Sequence, residues 1–245
     1  MDSGYYAAVS GWVARAQALD QAAANLANAR TPGFRAEREY FRSYLAEQRE
    51  PSQVGQAVNE FGLLGGSQLS GAQGPMQHTG NPLDLAIEGD GFFAVQTANG
   101  LRFTRDGSFH RSQAGLLVTA AGEPVLSHSK QSIPTPPGQI SVGADGALSV
   151  DGAVFASVGV FGFPQGTQSF KAEGANRYAA PEGASIGAPK AYVIRQGELE
   201  GANQDAIQGS LDLLVMQRQA EMMQKALMVF HTEFNKTATE DLPKV

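Results

Sequence analysis

The side chains that most often bind metals or act as nucleophiles are sparse and scattered in this chain. It has no cysteine, and its four histidines form no His-x-x-x-His pair. Zinc sites need cysteine, histidine or carboxylate ligands at short, regular spacings. We therefore expect no metal site and no cofactor. The histidines are His78, His110, His128 and His231.

Acidic residues are the other candidates for chemistry, and several stand beside glycine. The segment Gly89-Asp90-Gly91 and the later Asp-Gly pairs lack the ladder of oxygen ligands that a calcium loop requires, and turn formation explains them. Four carboxylates of this region could serve a hydrolase only if two converged across a cleft. Solvated turn residues are the favoured interpretation, and we expect no enzyme. These carboxylates are Asp84, Glu88, Asp90 and Asp106.

Composition excludes several other classes of function. The chain has 245 residues, 42% of them hydrophobic, and a formal net charge of −6 with no basic block. Nucleic-acid binding depends on Lys and Arg contacts to phosphate, so we expect no nucleic-acid partner. No apolar run reaches the roughly 20 residues that span a bilayer, and residues 1–10 lack the basic start of a cleaved signal peptide. The absence of cysteine fits either a cytosolic protein or one that crosses an oxidising space.

The strongest pattern is a pair of apolar stripes, one at each end of the chain. Their members alternate spacings of three and four, which places each set on one side of a helix, as in a coiled-coil seam. We predict helices over 4–28 and 204–238, with Asn203 as the cap of the second. The first stripe is Tyr5, Val9, Trp12, Ala16, Leu19, Ala23 and Leu26, and the second is Leu213, Met216, Ala220, Met223, Leu227, Phe230 and Phe234.

A further stripe on the second helix favours contacts between molecules. Packing of the two helices on each other accounts for one seam on each, but it leaves the additional stripe without a neighbour. Methionine, frequent in this helix, suits surfaces that repack against several partners. We therefore predict a subunit that assembles. The additional stripe is Leu211, Val215, Met222 and Val229.

The region between the helices is typical of β-structure. Turn signals recur every few residues beyond Leu83, and Asn99-Gly100 between two apolar runs predicts a hairpin. The predicted fold is α+β: N- and C-terminal helices that pair as a coiled coil, with an inserted, mainly antiparallel β-domain, a sandwich or open barrel. The expected divisions are 1–34 for the first helix, 35–80 for an arm or linker, 81–195 for the β-domain and 196–245 for the second helix.

Four blocks of sequence carry a family resemblance. The first, 25–35, has the sequence NLANARTPGFR, and the others are 74–87, the group 91–95, 103–109 and 115–119, and 196–203. In this order they resemble the signature blocks of bacterial flagellar rod and hook proteins. The signature residues of the first block are Asn25, Leu26, Asn28, Thr31, Gly33 and Phe34.

The resemblance implies a structural subunit of the flagellar basal-body rod, which crosses the periplasm. Its terminal helices would form an inner coiled-coil layer and polymerise helically to transmit torque for motility. Its partners would be other rod subunits, copies of itself and the flagellar type III export apparatus, which it would pass without cleavage or membrane insertion. Length and the single small β-domain resemble the proximal or the distal rod protein and are too short for a typical hook protein. The helix after Asn203 lacks the aromatic residue and the asparagine expected near Ala220 and Met223 in the distal rod pattern, so the resemblance favours the proximal rod, with the distal rod second. An unrelated alternative is a glycan-binding or adhesive β-module on a helical stalk.

Overall fold

The fold is α+β, with one long helix near each end and antiparallel strands between them. The computed structural model describes residues 2–45, 60–164, 166 and 170–236. Two compact units result: one comprises Met1–Ala27, Arg38–Ser67 and Ala206–Val245, and the other comprises Asn28–Glu37 and Gln68–Asp205. We call them the helical unit and the β-unit.

The helical unit contains α1 (Asp2–Ala27) and α2 (Ala206–Lys236), which lie in contact with each other. Alanine-rich sequence favours α1, and the helix ends before Pro32, which disfavours helical geometry in the residue that precedes it. Both helices were predicted to within two residues at each end. Asn203 is not the cap that the sequence predicted: α2 begins at Ala206, and the Asn203 side chain is bonded to other segments.

Two strands fall within the stretch that the sequence assigned to an arm or linker. They are β1 (Glu37–Leu45) and β2 (Glu60–Leu69), and they pair with each other as a two-stranded sheet. Part of the predicted arm or linker, 46–59, lies outside the described residues. The extended conformation of β1 fits an arm, as predicted for this stretch. The sequence analysis did not predict β2, because its glycine-rich composition is not typical of a strand.

The described strands of the β-unit form five short antiparallel sheets, and the sequence predicted a sandwich or open barrel. The largest has the order β12-β5-β6-β14-β13, another has β11-β10-β9, and three are pairs: β15-β4, β16-β3 and β7-β8. The strands are β3 (Met76–His78), β4 (Leu85–Gly89), β5 (Phe92–Thr97), β6 (Gly100–Thr104), β7 (His110–Arg111), β8 (Leu117–Val118), β9 (Ile140–Val142), β10 (Ala147–Val150), β11 (Ala153–Ser157), β12 (Val160–Phe161), β13 (Lys171–Ala172), β14 (Tyr178–Ala179), β15 (Tyr192–Gln196) and β16 (Glu198–Glu200).

The predicted hairpin is confirmed, and its first strand organises the core. β5 and β6 pair antiparallel with Thr97 opposite Gly100. Alternate residues of a strand face opposite sides of the sheet, so β5 contributes to two apolar clusters. Phe93 lies in the cluster that also contains Phe109, and Phe92 lies in the cluster around Phe103. Full burial of each large apolar side chain contributes about 1.5–3 kcal/mol.

The pairing of β3 with β16 joins segments far apart in the sequence. Met76 lies opposite Glu200, and His78 lies opposite Glu198. The sequence analysis places the first stretch in the arm or linker and the second in the division of the C-terminal helix, because three-residue strands carry no visible alternation. This pairing places Glu200 beside the segment that follows α1. No described helix is long and apolar enough to cross a membrane.

Candidate assembly surface and signature junction

The signature segment reverses the chain after α1. The Thr31 amide donates to the Asn28 carbonyl at 3.0 Å, and the Thr31 hydroxyl donates to the Asn28 side-chain oxygen at 3.3 Å. Phe34, which is half-buried, donates its amide to the Thr31 carbonyl at 3.2 Å. Asn28 thus contacts Thr31 through both its backbone carbonyl and its side chain at the reversal. Asn25 is buried at the end of α1, and Leu26 is half-buried there.

Gly33 is required by two features of this reversal. Its φ of 68° lies in the left-handed region that favours glycine. A Cβ at this position would stand 2.2 Å from the backbone nitrogen of Asp106. The Gly33 amide also donates to the Glu200 carbonyl at 2.7 Å. The chain therefore passes directly against the β-unit's backbone at this point, which only a residue without a side chain permits.

Immediately after the turn lies a buried cluster of three charges. Glu200 accepts from Arg35 at 2.8 Å through one carboxylate oxygen and from Arg105 at 3.0 Å through the other. The three side chains are 1%, 3% and 4% exposed, respectively. The Gly74 amide donates to the same carboxylate at 3.0 Å. Buried ions require such partners, because desolvation costs several kcal/mol for each ion.

The remaining guanidinium hydrogen bonds tie the cluster to the backbone. Arg105 donates to the carbonyls of Ile87, at 3.0 Å, and Gly89, at 2.7 Å, and its guanidinium carbon lies 5.1 Å from the Phe92 ring centroid. Burial lowers the pKa of Arg105 to about 10, opposed by attraction to Glu200. Burial likewise lowers the pKa of Arg35, against the same attraction. The low polarity of the site thus acts on both cations.

Other side chains fasten the same segment from distant parts of the β-unit. The Asn203 amide oxygen accepts from the Ala36 amide at 2.7 Å, and the Asn203 amide nitrogen donates to the Ala72 carbonyl at 2.8 Å. The Tyr178 hydroxyl accepts from the Arg35 amide at 3.1 Å, and burial raises its pKa to about 12. Asn176 donates to the Pro32 carbonyl at 2.7 Å. Residues 31–36 are therefore held to the β-unit on several sides.

On α2, the predicted seam and the additional stripe occupy different environments. Leu213, like the other described seam residues of α2, is half-buried, whereas residues of the additional stripe are exposed. Since a helix turns about 100° per residue, Val215 points away from Leu213. The half-buried seam residues are Leu213, Met216, Ala220, Met223 and Leu227. The exposed fractions of the stripe are 53% for Leu211, 54% for Val215, 62% for Met222 and 61% for Val229.

The predicted seam of α1 is less uniform. Val9, Leu19 and Leu26 are half-buried, but Trp12 is 38% exposed. Ala14, which the sequence did not place in the seam, is buried at 3% exposure. The side chains of Tyr5, Phe230 and Phe234, also assigned to the seams, lie outside the described residues.

Among the described side chains, those considered for metal binding form no cluster, and the side chain of His231 lies outside the described set. His78, His110 and His128 are exposed, and no group of three metal-ligating side chains occurs within the described residues. Asp84 accepts from the Thr79 hydroxyl at 2.6 Å, and Asp106 accepts from the Ser108 hydroxyl at 2.6 Å, so both serve local turns.

One motif not considered in the sequence analysis also lacks the context for catalysis. Gly183-Ala184-Ser185-Ile186-Gly187 matches the Gly-x-Ser-x-Gly pattern of hydrolases. That pattern needs a strand before the serine and a helix after it. Here the serine lies in an irregular segment, and the next helix begins only at Ala206.

Comparison with known proteins identifies the class. Residues 6–35 match the model of the flagella basal body rod protein family, and residues 86–150 match that of the flagellar hook protein FlgE/F/G D1 domain. A flagellar basal-body rod protein FlgF from Caulobacter vibrioides is 36% identical over all of both chains. The chain therefore belongs to the family of flagellar basal-body rod proteins, which are structural proteins of the bacterial flagellum.

Two further relatives bear on the position within the family. A FlgF protein from Mesorhizobium japonicum is 33% identical over 90% of each chain. A basal-body rod protein FlgG from Agrobacterium fabrum is 31% identical over 90% of this chain and 92% of its own. The family match over residues 6–35 contains the signature turn and Arg35, and the match over residues 86–150 contains Arg105. Both matched segments therefore contribute to the buried charge cluster.

Proposed function

We propose that this chain is a structural subunit of the proximal rod of the flagellar basal body. Identity of 36% over the whole of both chains to a FlgF protein, against 31% over about nine-tenths of each chain for the Agrobacterium FlgG protein, supports this position over the distal rod. The match to the Caulobacter protein over the whole length supports a shared architecture. The distal rod remains the second candidate within the family.

In this proposal α1 and α2 form an inner coiled-coil layer. The contact between the helices and the half-buried seam residues of α2 support it. The proposed divisions are 1–34 and 196–245 for the inner domain, 35–80 for the arm and 81–195 for the β-domain. Residues 31–36 follow α1 directly in the chain and are hydrogen-bonded to other segments of the β-unit. This attachment suits a subunit that transmits torque.

The observation that carries the proposal is the exposed apolar stripe on α2. Four large apolar side chains, each more than half exposed, would leave a long uncovered surface on an isolated molecule. Neighbouring subunits would cover this surface in a polymer. A contact between unlike faces that does not close into a ring generates such a helical polymer. The proposed partners are other rod subunits and copies of this chain.

Export through the flagellar type III apparatus, without a cleaved signal peptide, completes the proposal. A chain without cysteine can pass from the cytoplasm through the periplasm without forming disulfides. The proposed location is the rod, and the proposed role involves no enzyme activity, cofactor, nucleic acid or membrane insertion. A glycan-binding module is the alternative, and saturable binding to a sugar array would favour it.

Cysteine cross-linking within assembled rods tests the proposal. Because the natural chain has no cysteine, Val215→Cys on the exposed stripe provides a single thiol. Oxidised basal bodies should then contain cross-linked products of this chain that reducing agent removes. The matched control is Gln217→Cys, also exposed but on another side of α2. Equal cross-linking of both variants, or of neither, would contradict an interface along the stripe.

A further inference from the structure

The β-unit contains a cavity whose lining is rich in cations. Its volume is about 280 Å³, and its apolar lining includes Phe92 and Phe163. Arg35, Arg105 and Lys190 also line it, whereas Asp90 is the single carboxylate among the lining residues of this described cavity. Lys190 and Asp90 are exposed, while both arginines are more than nine-tenths buried. The cavity therefore combines fixed buried cations with mobile charges at the surface.

The two arginines carry more positive charge than the one carboxylate that they contact can balance. They share a single carboxylate, that of Glu200, which does not line the cavity. Their terminal nitrogens are bonded to Glu200 and to backbone carbonyls, and the Nε atom of each has no hydrogen-bond partner and is shielded from solvent. An anion in the cavity would therefore interact with the charge of the guanidinium groups and would not bond to Nε. A buried cation without full compensation attracts an anion more strongly than an exposed one, since the surrounding polarity is low.

We propose that this cavity receives the side-chain carboxylate of an aspartate or glutamate on a neighbouring rod subunit, an inference that rests on the proposed function. The carboxylate would lie against the arginines at the bottom, and Lys190 would pair with it at the rim. The apolar walls would cover the methylene groups of the incoming side chain. A second copy of this chain, with a net charge of −6, offers an excess of acidic side chains for this contact.

The first test measures binding of a minimal probe to the full chain by NMR. The probe is an acetylated Gly-Glu-Gly amide, and the matched control peptide carries glutamine in place of glutamate. The Nε–H signals of Arg35 and Arg105 are the readout, since both groups lack a partner in the structure. We expect saturable shifts with the glutamate peptide and none with the glutamine peptide. Equal responses to both peptides, no response, or tighter binding of inorganic phosphate would overturn the proposal.

Variants at the rim keep the fold intact and change only the charge. Lys190→Glu should weaken binding of the glutamate peptide by about two- to fivefold, as expected for loss of an exposed ion pair. Asp90→Asn should strengthen it, because a repelling charge is removed. The control is Lys171→Gln, an exposed lysine that does not line the cavity, and it should change nothing. Loss of binding in that control equal to the loss in Lys190→Glu would contradict a site at the cavity.

Swimming assays separate this inference from the proposed function. A strain that lacks the gene should not swim if the chain is a rod subunit, and normal swimming would refute that function. If the deletion abolishes swimming, we expect Lys190→Glu to reduce it and Lys171→Gln to preserve it. Normal swimming by Lys190→Glu in that background would overturn the cavity contact alone.

Discussion

Replacing Glu200 by glutamine should destabilise the β-unit strongly. The substitution keeps an oxygen for the Gly74 amide but removes the only carboxylate shared by two buried arginines. Removing one partner of a buried ion pair costs about 3–5 kcal/mol. For a unit of this size each kcal/mol lowers the melting temperature by about 2–4 °C, so we expect a decrease of roughly 6–20 °C.

The matched control for this substitution is Glu198→Gln on the same strand. Glu198 is only half-buried and does not contact the cluster, so its change should stay within about 0.5 kcal/mol. Urea and thermal unfolding followed by the NMR signals of the buried Tyr178 ring measure the β-unit. Trp12, the single tryptophan, lies in α1 and reports on the helical unit separately. Equal melting temperatures for Glu200→Gln and the wild type would refute the role of the cluster.

A double-mutant cycle tests whether the charges act together. Arg105→Met alone leaves Glu200 with one guanidinium, and Glu200→Gln alone leaves two unpaired cations. If the cluster is coupled, the double variant should be more stable than the sum of the single effects implies, by about 1–3 kcal/mol. Simple addition of the two effects would show that Arg105 and Glu200 contribute independently.

Three further predictions concern the junction and the assembly surface. Gly33→Ala should lower the free energy of unfolding, measured with urea, by about 2–4 kcal/mol, because its Cβ would meet backbone atoms. Gly122 also has a positive φ but has open space around it, so Gly122→Ala should lower the free energy of unfolding by about 1 kcal/mol. Tyr178, with a pKa raised to about 12, contributes stability that is complete below the ordinary pKa of about 10 and lost as the pH rises toward 12; a tyrosinate absorbance titration should show a late step that Tyr178→Phe removes. Leu227→Asp should abolish incorporation into basal bodies by burying an unpaired charge, whereas Gln224→Asp, at an exposed position of α2, should incorporate normally.

Local signals predicted a large part of the fold. The heptad spacing located both helices, and the turn signal at Asn99-Gly100 located the β5–β6 hairpin. These features depend on residues close together in the sequence, so periodicity and turn chemistry are sufficient to find them. The short strands β3 and β16 were missed, because their pairing depends on contacts between distant segments.

The candidate site was predicted only in part. Asn28 and Gly33 were identified through the family signature, and the structure gives both a physical role. The contribution of Arg105 and Glu200 was not visible, because a buried ion cluster forms from residues that no sequence spacing relates. Tyr178 resembled an ordinary core aromatic for the same reason.

The most direct test of the central claim is to determine the composition and the structure of purified basal bodies. Mass spectrometry should find peptides of this chain in wild-type basal bodies, and electron microscopy of a strain lacking the gene should show a rod that stops short. The length of that truncated rod would separate a proximal from a distal position. Complete rods in the deletion strain, together with absence of the chain from wild-type basal bodies, would contradict a rod subunit.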